Sequence, residues 1–262
     1  WSDTMNVVSS VTYHGGARIV NYDWDYTHNF PPFYELIRRV SIGYAIRNSS
    51  IFQNPVPSYA DSGTIRGSEW YVVRGSLQDW AYDSTDCLDL TVELDTDKWP
   101  PASQLNNLWA DNRESMLWII EHAGRGVRGA VMDSCTNQPV SCIYQIDGES
   151  KVFENDAKSG LFQRQLTTGF HDFVFESRGY STKTIENVRI NFDSTTNLNV
   201  FLSPIDIFVE GTVYNDSGAT LDSVLVELNG EQHFYTDTSG FFSFTSRAGI
   251  SIIKLRKSDY YV

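Results

Sequence analysis

Residues 87–117 read CLDLTVELDTDKWPPASQLNNLWADNRESML and contain a strand, a break and a helix in succession. In residues 87–94 apolar and polar side chains alternate, which is typical of a β-strand with one buried face. The segment KWPP at residues 98–101 interrupts the chain, since proline suits neither a helix interior nor a central strand. Residues 103–121 predict a helix. Its apolar side chains fall on one stripe: Leu105, Leu108, Trp109, Met116, Leu117 and Ile120.

The segments on either side of this stretch differ in character. Upstream, residues 33–46 (FYELIRRVSIGYAI) have apolar side chains at helical spacing, and the apolar run VVSSVTY leads into His14. Downstream of Gly124 the chain consists of short alternating segments separated by turns, which is typical of a β-sandwich. We therefore predict an α/β region followed by an all-β region.

The all-β region repeats. Four landmarks recur at nearly fixed spacing: Gly129 and Gly211, Ser159-Gly160 and Ser239-Gly240 with aromatic residues after them, Gly169 and Gly249, and Tyr180 and Tyr260. Such a period indicates two copies of one structural unit. The first copy continues to Pro204, whereas the second ends at Val262, so we expect the second copy to lack its last strands. With no Met at residue 1, we also expect the chain to begin inside a longer protein.

Composition restricts the classes of partner. The chain has 262 residues, a net charge of −13 and 41% hydrophobic residues, which favours folded domains and disfavours binding to nucleic acid or anionic membranes. No run of eighteen apolar residues occurs, so we predict no membrane span. Three cysteines, Cys87, Cys135 and Cys142, form no zinc motif. Cys135 and Cys142 flank a turn and could either pair or remain thiols.

Three residues of the α/β region could carry chemistry. His14 lies in a His-Gly-Gly turn after an apolar run, where it is either a ligand or a turn histidine. Glu93 interrupts the apolar alternation of LTVEL, so it is paired, held at a raised pKa for proton transfer, or simply solvated on an outer face. Asp25, in NYDWDY, could equally be an ordinary loop acid flanked by aromatic residues.

Three segments occur in an order that narrows these alternatives. Residues 13–25 (YHGGARIVNYDWD), 63–82 (GTIRGSEWYVVRGSLQDWAY) and 87–117 together resemble zinc metallocarboxypeptidases of the D/E/N (regulatory) subfamily. The β-sandwich that follows resembles the transthyretin-like domain of those enzymes. The resemblance runs from about Val7 to Pro204. It implies the C-terminal half of a mixed-sheet catalytic domain, followed by tandem transthyretin-like sandwiches.

The resemblance implies a role for each matching residue. His14 falls on a zinc ligand, and Glu93 falls on the acid that deprotonates zinc-bound water and protonates the leaving amine. Tyr71 falls on a tyrosine that closes over the C-terminal residue of the substrate. Asp25 and Gln78 fall on pocket positions that favour a C-terminal Arg or Lys, since a carboxylate pairs with a cation.

The chain also departs from the family pattern. Asp23 stands where the family has proline, Ser76 replaces a glycine, and Arg66 replaces an asparagine; we expect the Arg66 side chain to lie in solvent. No histidine is followed by Glu at the third place, so the two other zinc ligands of the family are missing. One imidazole does not hold zinc tightly, so we expect this polypeptide alone to bind no zinc stoichiometrically and to cleave no peptide.

The sequence therefore predicts three domains: residues 1–123 as the carboxypeptidase part, 124–204 as a first sandwich, and 205–262 as a second. The predicted function is zinc-dependent removal of a C-terminal Arg or Lys from peptides and proteins, by a monomeric, secreted or periplasmic enzyme. The alternative is an inactive carboxypeptidase-like domain that serves in binding or adhesion. The sandwiches show no ligand signature, and we interpret them as structural.

Overall fold

The computed structural model of the chain describes residues 7–247 and 251–258, and it is a mixed α/β structure with several sheets. Most of its regular elements are strands. The repeat landmarks Gly249 and Tyr260 lie outside the described residues. No helix of the described segments is both long enough and apolar enough to cross a membrane.

The first sheet has four strands in the order β1-β4-β2-β3. Their bounds are β1 Ser9–His14, β2 Ile19–Tyr22, β3 Thr64–Arg66 and β4 Leu88–Glu93. β1 runs parallel to β4, β2 runs antiparallel to β4, and β3 runs parallel to β2. The strand predicted at residues 87–94 is thus confirmed as β4, whose Leu88, Leu90 and Val92 enter the apolar core.

Five helices accompany this sheet. They are α1 Tyr34–Ala45, α2 Ser49–Gln53, α3 Gly67–Trp70, α4 Leu77–Ser84 and α5 Leu105–Ala123, the last preceded by a 3-10 turn over Ala102–Gln104. The helices predicted at residues 33–46 and 103–121 are confirmed as α1 and α5. The apolar residues of α1 enter the same core as β4 and cover the sheet: Leu36, Ile37, Val40 and Tyr44.

The apolar stripe of α5 does not form its buried face. Leu105, Trp109, Leu117 and Ile120 are all more than half exposed. The buried side chains are instead Asn112, Ser115, Ile119 and His122. They are buried because they have partners on neighbouring elements: the Asn48 amide donates to the Asn112 oxygen at 2.8 Å, and the Ser115 hydroxyl donates to the Tyr44 carbonyl at 2.8 Å.

Residues 126–202 form two packed sheets. The strands are β5 Gly126–Asp133, β6 Ile143–Ile146, β7 Phe153–Glu154, β8 Leu161–Arg164, β9 Gly169–Glu176, β10 Lys183–Ile190, β11 Thr195–Asn197 and β12 Val200–Leu202. One sheet has the order β10-β9-β6-β7; in the other, β5 pairs with β8, β11 and β12. Between them lies an apolar core in which Phe173, Phe175 and Tyr144 are nearly inaccessible.

Residues 206–256 repeat part of this pairing. The strands are β13 Asp206–Thr212, β14 Leu225–Leu228, β15 Gln232–Tyr235, β16 Phe241–Arg247 and β17 Ile253–Arg256. β13 pairs with β16, and β14 lies between β15 and β17, as β5 pairs with β8 and β6 lies between β7 and β9. Gly160 and Gly240 both have positive φ, and each approaches a backbone carbonyl too closely for a Cβ.

The α/β region and the first pair of sheets touch each other. Arg164 on β8 donates to the Asp86 carbonyl and stacks over Phe153 at 4.1 Å, while the Lys151 ammonium lies 2.8 Å from the Asp86 carboxylate.

Cys87, Cys135 and Cys142 are all free thiols, so the alternative of a Cys135–Cys142 disulfide is wrong.

Candidate functional site

Two of the predicted residues meet where adjacent strands end. β1 and β4 are parallel and in register, so that His14, the last residue of β1, lies opposite Glu93, the last residue of β4. The His14 Nδ1 atom is 3.0 Å from Glu93 Oε1 and 3.1 Å from Oε2. The carboxyl ends of parallel strands commonly carry the functional groups of α/β proteins.

The two partners differ in their contact with solvent. The His14 side chain is 60% exposed, whereas that of Glu93 is 7% exposed, so the alternative of a fully solvated Glu93 is wrong. A buried carboxylate beside an exposed imidazole can accept a proton from a group that binds above it. Gly15 and Gly16 follow His14, and Gly16 has a φ of 125°, where a Cβ would lie 2.8 Å from the Lys98 side chain.

Asp25 and Gln78 form a second predicted pair. The Gln78 amide nitrogen is 3.3 Å from Asp25 Oδ1, and the Asn21 amide lies at the same distance from that oxygen. Both Asp25 and Gln78 are buried. Burial raises the pKa of Asp25, the Ser76 and Asn21 side chains lower it, and the charge of Asp79 raises it. Gly67 must be glycine here, since a Cβ would overlap the Asp25 carboxylate.

Gln78 also connects this pair to the strand that carries Glu93. The backbone N–H of Thr91 donates to Gln78 Oε1 at 2.9 Å. Thr91 is two residues before Glu93, and side chains two apart on a strand point to the same face at a separation of roughly 7 Å. Glu93 and the Asp25–Gln78 pair are therefore both attached to β4.

Asp79 is a contributor that sequence reasoning missed. Its Oδ1 accepts the Asp25 backbone N–H at 2.8 Å and its Oδ2 accepts the Tyr26 N–H at 3.1 Å. The Ser76 hydroxyl accepts the Asp79 N–H at 3.2 Å and caps α4. The available signal was the spacing of Ser76 and Asp79 before a helix. An N-cap serine followed three residues later by an acid marks a helix start.

Asp89 and Asp23 complete a buried acidic cluster, which we define as Asp23, Asp25, Asp79 and Asp89. Burial raises the pKa of Asp89 to about 6, against the effect of the Ser10 hydroxyl. Burial, followed by the charges of Asp79, Asp25 and Asp89, raises the pKa of Asp23 well above its usual range. Burial of four acids in one site raises the pKa of each above that of an exposed aspartate.

Tyr71 lies at the C-terminal end of α3 and is exposed. Its ring contacts Trp70 edge-on at 4.8 Å, and its N–H donates to the Gly67 carbonyl at 3.0 Å. The following segment is tied to Asp25, because the Val73 N–H donates to the Asp25 carbonyl at 3.1 Å. The structure thus places Tyr71 beside the loop of residues 23–33, which carries Asp25, and leaves its side chain 57% exposed.

Arg66 does not lie in solvent, so that expectation is wrong. The guanidinium is buried and donates to the His28 carbonyl at 2.9 Å and to Glu69 at 2.8 Å. It also stacks over the Phe30 ring at 4.5 Å. Backbone carbonyls, a carboxylate and a ring face replace much of the hydration shell of the guanidinium, and only its Nε has no partner among the described residues.

A family model describes the first part of this chain. Residues 1–115 match the model "Peptidase_M14: Zinc carboxypeptidase". This segment, less than half of the chain, is similar to zinc carboxypeptidases. The matched range contains His14, Glu93 and the Asp25–Gln78 pair, whose geometry is given above.

Known carboxypeptidases extend the likeness beyond that range. The chain is 29% identical over 214 residues to carboxypeptidase D of Homo sapiens, covering 77% of this chain and 15% of that protein. It is 30% identical over 213 residues to carboxypeptidase D of Anas platyrhynchos, covering 73% and 15%. It is 27% identical over 201 residues to the carboxypeptidase N catalytic chain of Homo sapiens, covering 71% and 43%. The chain thus spans less than half the length of each relative.

The zinc ion of the carboxypeptidase family is not held by the described residues alone. Among residues 7–247 and 251–258, no group of three or more His, Cys, Asp and Glu side chains could hold a metal ion. His14 is exposed enough to serve as one ligand, but its Nδ1 faces Glu93 at 3.0 Å. A zinc site needs three or four ligands, so the set described here does not fit the ion by itself.

Proposed function

We propose that this chain carries the general base and the substrate pocket of a carboxypeptidase that removes a C-terminal Arg or Lys from peptides and proteins. The observation that carries the proposal is the connection of both parts to β4. Glu93 ends that strand, while Gln78 binds Thr91 through its oxygen and Asp25 through its nitrogen. The pocket acid and the base therefore keep a fixed separation.

Glu93 has the position and burial required of a general base. It takes a proton from the attacking water and returns it to the leaving amine, and low exposure favours this exchange because the carboxylate is poorly hydrated. His14 holds the carboxylate from the solvent side and is the proposed zinc ligand of this chain. Binding through Nδ1 would require Glu93 to release that atom.

Asp25 supplies the specificity in this proposal. Asp25 is buried, and the Gln78 and Asn21 amides orient one of its two oxygens. The carboxylate can therefore still accept a guanidinium or ammonium group. Tyr71, exposed at the end of α3, is the side chain proposed to close over the bound residue.

The remaining strands are proposed to be accessory domains. The pairing order of residues 126–176 recurs in residues 206–256, which supports tandem transthyretin-like sandwiches with boundaries near residues 124 and 205. We propose a structural role for them, and a secreted or periplasmic, monomeric protein.

The test compares substrate preference in the complete translated protein, in the wild type and in Asp25→Ala. Losing one partner of a buried charge pair costs about 3 kcal/mol, so the preference in kcat/KM for C-terminal Arg over Leu should fall roughly a hundredfold. Asp193→Ala is the control, because Asp193 is exposed in the second region.

Two results would contradict the proposal in different ways. An unchanged preference in Asp25→Ala would remove Asp25 from the pocket and favour a different specificity. Complete inactivity of the wild-type protein on every peptide, with zinc supplied, would instead favour the inactive binding or adhesion module.

A further inference from the structure

Asp23 is the least expected member of the buried acidic cluster. It is 0% exposed, and neither of its carboxylate oxygens accepts a hydrogen bond from a donor in the described part of the chain. The residues on either side, Tyr22 and Trp24, are part of the apolar core. An ionised carboxylate in that position would have lost its water without replacement, which is among the most costly arrangements in a protein.

A neighbouring carboxylate, that of Asp79, can reduce the free-energy cost of burying Asp23. A hydrogen bond from the Asp23 side chain is one of the interactions that oppose the effect of burial on the pKa of Asp79. Two ionised carboxylates both lack a proton to donate, so a hydrogen bond between them requires that one of them be protonated. Asp79 already accepts two backbone N–H groups, which favours its ionised form. The proton therefore belongs on Asp23.

We propose that Asp23 keeps its proton in the folded protein and donates it to the Asp79 carboxylate, as a positioning residue for the loop that carries Asp25. This inference rests on the proposed function, since it assigns the loop to a substrate pocket. The donated proton lets two buried acids share one negative charge. Asp79 can then hold the N–H groups of Asp25 and Tyr26, which fixes where the pocket acid points.

Two backbone hydrogen bonds that do not involve Asp79 also hold the loop of residues 23–33. The Ser68 N–H donates to the Trp24 carbonyl at 2.9 Å and the Val73 N–H donates to the Asp25 carbonyl at 3.1 Å. Asp79 is therefore the sole side chain in the described segments that accepts the loop's own N–H groups at Asp25 and Tyr26. Any change in its charge or orientation would act directly on this loop.

Other titratable groups also surround Asp23, on each element packed against it. They are Asp25 in the same loop, Asp79 and Tyr82 on α4, Asp89 on β4 and Cys87 before β4, with Arg164 of β8 acting on Tyr82 and Cys87. The acids among them all disfavour ionisation of Asp23.

The experiment follows carboxyl carbon and backbone amide resonances of the 262-residue chain against pH, and needs no enzymatic activity. The Asp23 carboxyl resonance, assigned by its loss in Asp23→Asn, should remain that of a protonated acid through neutral pH. If it ionises at higher pH, the amide resonances of Asp25 and Tyr26 should shift in the same step. Titration of Asp23 together with the exposed aspartates would overturn the proposal.

Two variants separate the proton from the shape of the side chain. Asp23→Asn can still donate to Asp79 but cannot ionise, so the Asp25 and Tyr26 amides should keep their protection from hydrogen exchange and lose their high-pH step. Asp23→Leu has no donor, and this protection should fall roughly tenfold or more. Equal loss in both variants would overturn the proposal. Because no readout uses peptidase activity, this failure is distinct from a failure of the proposed function.

Discussion

The region of residues 7–123 and the two-sheet region of residues 126–202 bury charge in different ways. The two-sheet region buries Asp133 and Arg164, and both are satisfied: Asp133 accepts the Tyr180 hydroxyl at 3.0 Å, and Arg164 binds a carbonyl and a ring. The first region buries six charged side chains: Asp23, Asp25, Arg66, Asp79, Asp89 and Glu93. Two of them, Asp23 and Asp89, have carboxylate oxygens that accept no hydrogen bond within the described residues.

We expect such a difference between a scaffold and the proposed site. Fully paired buried charges fix a structure, whereas buried acids left unpaired cost stability and persist where chemistry needs a shifted pKa. The apolar core of residues 126–202 should therefore respond to mutation mainly in stability. Substitution of the buried acids of residues 7–123 should instead change mainly how the stability depends on pH.

The largest expected effect lies in the core of the two-sheet region. Phe173 on β9 is 0% exposed and stacks on Phe175 at 6.1 Å. Phe173→Ala should reduce the free energy of unfolding by about 3–5 kcal/mol, through lost burial and a cavity, as measured by urea unfolding. Phe170→Ala on the same strand is the matched control, since that ring is exposed and the change should stay within about 0.5 kcal/mol. Similar losses in both variants would contradict the assignment of this core.

The second effect is a pH dependence at Asp89. Its pKa rises from 3.8 to about 6, chiefly through burial. A carboxyl group with a higher pKa in the folded state binds more protons there, so its contribution to stability is full below pH 3.8 and is lost as the pH rises through about 6. The linkage relation gives about 3 kcal/mol for this loss.

Urea unfolding of the wild type and Asp89→Asn at a series of pH values checks this. The difference between the two curves should change by that amount in this pH window. Asp156→Asn is the comparison from the other region: Ser159 lowers the pKa of Asp156, so its contribution should instead be lost as the pH falls. A flat difference curve for Asp89 would contradict the shifted pKa.

The smallest effect concerns the cap of α4. Ser76→Ala removes the hydroxyl that accepts the Asp79 N–H, and this should cost about 1 kcal/mol in thermal or urea unfolding. Ser84→Ala at the exposed end of the same helix should change stability by less than about 0.5 kcal/mol. Equal effects would show that the Ser76 hydroxyl does not cap the helix.

Part of the site could be predicted from the sequence. The alternation of residues 87–94 placed Glu93 on a strand, and the motif resemblance selected Asp25 and Gln78, which the structure brings within 3.3 Å. Arg66 was predicted wrongly because its partners, the carbonyls of residues 28 and 29 and the Phe30 ring, come from a distant segment. The roles of Asp79 and Asp23 were missed for the same reason.

The sequence by itself determined the local elements: the strand and helices of the first region, and the repeated glycine turns at Gly160 and Gly240, because periodicity and backbone freedom are local properties. Only the tertiary structure decided which face of α5 is buried and which acids share a site. Burial of a polar group depends on partners that arrive from elsewhere in the chain, as Asn48 and Tyr44 do for α5. Spacing along one segment does not contain that information.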